Sequence, residues 1–171
     1  VTASDRAIAE HLLSCSTALY EVLGESAPTF SNDAYVIRGY EMSRAFGTLA
    51  LETRDYLGDA SPVPFDVLTA VLRASVHGDE SGALAMFAVA MAVGPRLLVS
   101  LVDARAALGD NEELRTLLNH ASQVCVREIR LIGDVAKDQA PVEDPAWQAA
   151  ARDLLWTLDS SGNAESLGIS R

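Results

Sequence analysis

Apolar side chains recur at intervals of three and four residues along most of the chain, the spacing that places them on one face of a helix. From Ser4 to about Leu23 they fall at Ile8, Leu12, Cys15, Leu19 and Val22 or Leu23, and Gly24 is the expected stop. Pro28 makes Glu25 to Ser31 a loop. A second helix is predicted from about Asn32 to Leu57, with Val36, Tyr40, Phe46, Leu49, Ala50, Thr53 and Leu57 facing inward and Gly58 at its end. Arg38, Glu41 and Arg44 are spaced for surface ion pairs, each worth about 0.2–0.5 kcal/mol. Pro64 opens a third helix that buries Phe65, Leu68, Val71, Leu72 and Val76 and stops at His77-Gly78.

The fourth helix, 81–108, is the one around which the others are arranged. Residues 81–95 carry no charge, and Arg96 is the only charged side chain as far as Val102. Placed on a helix, Leu84, Phe87, Met91, Leu98 and Leu101 form one seam, with Ala85, Ala88, Ala92 and Val99 as a strip of smaller side chains beside it. Met86, Val89, Val93 and Leu97 occupy the remaining faces. A helix apolar all round is expected to be buried all round.

Gly109 closes this helix, and Asp110 to Glu113 has the spacing of a capping box that opens a fifth. The fifth helix carries Leu114, Leu117, Leu118, Ala121, Val124, Cys125, Ile129, Leu131 and Ile132, and Gly133 is read as its end. Asp144-Pro145 starts a sixth, with Trp147, Ala151, Leu154, Leu155 and Leu158 inward. No stretch alternates apolar and polar residues for long enough to form a sheet strand. The pattern predicts an all-α, single-domain bundle of about six helices over residues 1–158, built around a buried, Pro-kinked central helix, with a mobile C-terminal tail at 159–171.

Three environments suit the central helix. A membrane span is disfavoured, because Pro95 and Arg96 lie inside it, much of its apolar character is Ala, and an Arg near the bilayer centre costs about 2.5–3.5 kcal/mol. A monomeric bundle of this size has few neighbours with which to surround so long an apolar helix. Cover shared with a second copy, in a homodimer, is therefore the preferred reading.

Pro95 cannot donate to the Met91 carbonyl, so a kink is expected there. Such a kink can open a pocket for a small apolar or anionic ligand. Phe87, Met91 and Arg96 would line it, joined by Tyr40 or Trp147, and Glu41 or Glu128 could pair with Arg96. The plainer alternative is that the kink follows a curved core and Arg96 reaches out to solvent.

Composition narrows the function classes. The formal net charge is −11, which disfavours nucleic acid and anionic membrane surfaces as partners. Cys15 and Cys125 belong to no C-x-x-C pair, and none of His11, His77 and His120 has an acid three residues before it, so neither a metal site nor a cofactor is expected. His11 and Cys15 could touch across one helical turn, but nothing beside them suggests an oxyanion hole or an orienting acid. Phosphate-binding loops, dinucleotide fingerprints and the nucleophile elbow of hydrolases are missing. Charges interrupt every apolar run near the N-terminus, unlike a signal peptide, so a cytoplasmic location is expected. One Lys against twelve Arg, and Val at position 1 read as a translated GTG start, point to a GC-rich bacterial gene.

The sequence therefore favours a non-enzymatic interaction or assembly module that self-associates through its apolar helices. A regulatory domain with a small-molecule pocket at Gly94-Pro95 is the alternative, and an enzyme of unrecognised type comes third.

Overall fold

The computed structural model describes residues 3–58, 81–139, 141 and 143–160. The third predicted helix and residues 161–171 lie outside them. Among the described residues the fold is all-α, with five helices and no strand. Helix α1 (Ala3–Ser26) leads through a 3-10 turn (Ala27–Thr29) to α2 (Asp33–Leu57). Helix α3 has three parts: an N-terminal arm (Ser81–Ala88), a π-helical turn (Val89–Val93) and a C-terminal arm (Gly94–Ala107). Helices α4 (Glu112–Gln139) and α5 (Pro145–Ser160) follow. Residues 159 and 160, read as tail, thus belong to α5.

Local signals account for most of the boundaries. The Asn32 side chain accepts the Ala34 N–H at 2.9 Å and caps α2. Gly58 ends α2 in the left-handed conformation, with φ at 69°. The Asp144 carboxylate accepts the Ala146 N–H at 2.9 Å at the start of α5. Helix α4 is capped by Asn111 rather than by Asp110. The Asn111 Oδ1 accepts the Leu114 N–H at 3.0 Å, and its Nδ2 donates at 2.9 Å both to Asp5 and to the Tyr56 hydroxyl. One side chain thereby ties the start of α4 to the start of α1 and the end of α2.

Two glycines read as stops lie inside helices. Gly24 faces α2, where a Cβ would stand 3.0 Å from the Ser43 Oγ, so the glycine serves the close approach of two helices. Gly133 lies within α4, which continues because Val135 and Ala136 extend its buried face. That burial outweighs the roughly 1 kcal/mol by which Gly disfavours a helix interior.

Helices α1 and α2 form an antiparallel pair in which Gly24 faces Ser43, and Gly47 faces the Tyr20 ring. Their inner surfaces and those of α3 and α4 supply the fully buried Leu12, Leu19, Met42, Phe46, Met86 and Leu118. Tyr40, expected inward, is exposed. Gly39 lets α2 settle against Ala27, where a Cβ would come within 2.7 Å of the Ala27 Cβ. The inward row therefore runs through Gly39, Met42, Ser43, Phe46 and Leu49, and Tyr40 is turned out.

Buried hydroxyls are satisfied almost without leaving their own helices. Ser14, Ser16, Ser26, Thr53 and Ser100 each donate to the carbonyl four residues back, at 2.7–3.0 Å. Ser43 differs, donating at 2.7 Å to the Tyr20 carbonyl of the neighbouring helix.

Candidate functional site

Helix α3 carries a π turn immediately before Gly94-Pro95. The Gly94 N–H bonds the Val89 carbonyl, five residues back, and closes a π turn. The backbone stays helical through Val93 and Gly94, so Pro95 lies inside a continuous helix, and the wider π turn before it accommodates the ring and the missing N–H. Gly94 itself is buried against α4. A Cβ there would stand 2.6 Å from the Ile129 side chain, so Ile129 fills the space beside the break.

The π turn also re-phases the helix. Residues in it advance by less than the usual 100° each, so a seam drawn at constant pitch drifts off the core. Leu84, Ala85, Ala88 and Ala92 are buried, as are Met86, Val89, Val93 and Leu97. Met91 and Val99, assigned to the seam and its neighbouring strip, are each 61 % exposed, and Val102 is 54 % exposed. The expectation of burial all round is thus corrected. Met91, Pro95, Val99 and Val102 make an outward row at helical spacing that bears no charge. Contacts of Gly94 with Ile129 and of Arg105 with Asn119 (3.0 Å) set α3 and α4 antiparallel, with the exposed Val126 of α4 level with Leu98.

The five residues assigned to a ligand pocket are divided among different places. Phe87 and Trp147 do meet, edge to face, with ring centroids 5.3 Å apart. Trp147 is buried, and its indole N–H finds no acceptor. Met91 points outward, and Arg96 is half-buried beside the break. Tyr40 lines a separate groove between α1 and α2. Of the carboxylates considered as partners for Arg96, Glu41 pairs with Arg38 on the surface at 3.2 Å, and Glu128 is buried and accepts from Arg127. Sequence reasoning missed the outward row itself. Its only signal was the excess of apolar positions over the faces that a small bundle can cover.

The described cysteine and histidine positions do not assemble a reactive centre. The Cys15 Sγ lies 3.6 Å from the His11 Nε2, yet burial, with the neighbouring Cys125 adding to it, pushes the thiol up to about 12. Burial and the Glu128 carboxylate likewise push Cys125 up to about 12. Both are thiols, not thiolates, at neutral pH. His120 forms an exposed pair with Glu52 at 2.7 Å, linking α4 to α2. Among the described residues no group of three His, Cys, Asp or Glu side chains is placed to hold a metal ion.

By length and composition α3 could also cross a membrane, but 56 % of its most apolar window is buried within the fold. The chain matches no family model, no curated protein and no solved structure.

Proposed function

We propose that this protein is a soluble, cytoplasmic, non-enzymatic assembly module that self-associates through the outward row of α3. The observation that carries this reading is the exposure of Met91, Val99 and Val102 on the most apolar helix described. Water on such a row is unfavourable, and a second copy packed against it removes that contact at about 25 cal/mol per Å2 of apolar surface. Pairing α3 with its own image about a two-fold axis uses the same row twice. In this reading the Gly94-Pro95 break is a packing device, which turns the C-terminal arm so that Val99 and Val102 face outward while Gly94 rests on Ile129.

Sedimentation equilibrium of the full chain tests the proposal. Self-association at micromolar concentration that Val99→Arg weakens, with the chain still folded, is the expected result. A wild-type chain that stays monomeric at that concentration removes the reading.

A small-molecule site beside Phe87 and Trp147 is the second reading, favoured by the buried indole N–H without an acceptor. A thermal-shift screen against metabolites tests it. A ligand present at a hundred times its Kd adds about 2.7 kcal/mol of stability, and Trp147→Phe should abolish the shift without unfolding the protein.

A further inference from the structure

The α1–α2 pair carries a second face, unlike the first. Its two helices enclose an open groove of about 1020 Å3, lined by Leu13, Tyr20, Tyr40 and Leu51 over a floor that includes Gly24 and Gly47. Tyr20 and Tyr40 are each about half exposed, as is Leu51. The charges on its rims are sorted by helix. Glu21 and Glu25 stand on α1, while Arg44 and Arg54 stand on α2.

The register of the pair makes this sorting specific. Gly24 faces Ser43, and Tyr20 faces Gly47, so Arg44 stands level with the interval between Glu21 and Glu25. A two-fold axis laid along the groove keeps every residue at its own level and exchanges the two walls. It sets Glu21 and Glu25 of one copy over Arg44 of the other, and does so twice. A face whose acidic wall matches its own basic wall in sign and in level complements a second copy of itself.

We propose that the α1–α2 groove is a second self-association face, ordered by charge, which takes another copy of this chain in four-helix packing. Tyr20, Tyr40 and Leu51 supply its apolar centre, and Arg44 with Glu21 and Glu25 sets its alignment. This extends the reading of α3 as a contact face. With both faces in use, the chain assembles beyond a dimer.

The test is the mass of the full chain by sedimentation velocity, in low and high salt, for a set of surface variants whose folding is checked by circular dichroism. The wild type is expected to be larger than a dimer. Val99→Arg should leave a dimer held by the groove, and that dimer should weaken as salt rises. Arg44→Glu should leave a dimer held by α3. The double variant should be a monomer. In the Val99→Arg background, mixing an Arg44→Glu chain with a Glu21→Arg/Glu25→Arg chain should restore a dimer that neither forms alone, with affinity recovered by about tenfold or more. If Val99→Arg alone gives a monomer, the groove proposal is overturned and the α3 reading stands. If Val99→Arg has no effect while Arg44→Glu gives a monomer, the α3 reading falls and the groove stands. Mixing that restores nothing overturns the charge-ordered alignment.

Discussion

The two arms of α3 have similar side chains and different fates. In the N-terminal arm, Ala83, Leu84, Ala85, Met86 and Ala88 are all buried, enclosed by α1, α4, α5 and the 3-10 turn. Among the described residues the C-terminal arm packs chiefly on α4, so Leu97, Leu101 and Ala104 are buried while Val99 and Val102 are exposed. Composition makes a helix able to be buried, and the number of neighbours decides which of its faces are.

The contrast can be broken at several points. Met86→Ala in the enclosed arm should destabilise the protein by about 2–5 kcal/mol, because the cavity it leaves is walled on every side. Val99→Ala in the open arm should change the stability of the monomer by less than about 0.5 kcal/mol, measured by urea unfolding at low protein concentration. A large effect of Val99→Ala under those conditions would mean that its face is already covered. At the junction, Gly94→Ala drives a methyl group into Ile129 and should cost about 1–3 kcal/mol. The double variant Gly94→Ala/Ile129→Val should recover part of that loss. Asn111→Ala removes the cap of α4 together with its bonds to Asp5 and Tyr56, and should cost about 1–2 kcal/mol. Earlier hydrogen exchange in the first turn of α4 would report the same change locally.

A further effect is expected in alkali. Both cysteines are raised in the fold from an ordinary 9.0 to about 12, so the native state keeps protons that the unfolded chain releases above pH 9. Their contribution to stability is complete below that pH and declines as pH rises from 9 to 12. Cys15→Ala/Cys125→Ala should flatten this decline in pH-dependent thermal melts. Wild-type thiols should react slowly with iodoacetamide at pH 8, until denaturant exposes them.

What the sequence discloses follows the range of each signal. Asn32, Gly58 and Asp144-Pro145 act within a few residues, and the structure places the helix ends where they stand. Gly24 and Gly133 carry the same local signal, but it is overruled by contacts with distant residues: Ser43 in one case and the extended buried face of α4 in the other. Gly94-Pro95 announces a break without revealing its form, since a π turn and a kink begin from the same missing N–H. Tyr40 is misassigned because the inward row of α2 is fixed by Gly39 against Ala27, a contact that periodicity does not contain. The candidate surfaces were the least legible. Opposite charges at Glu21, Glu25 and Arg44 acquire meaning only once the register of α1 against α2 is known.

That register hangs on a small group. Most buried hydroxyls here close on their own helices and would be silent if replaced by alanine, whereas the Ser43 hydroxyl reaches across to the Tyr20 carbonyl. Tight contacts at Gly39 and Gly47 restrict the offset of the two helices, and a single donor and acceptor meet at only one. Ser43 therefore works as a key in a slot. Ser43→Ala would keep the two helices packed while weakening the hold on their offset, and with it the match of one charged wall to the other.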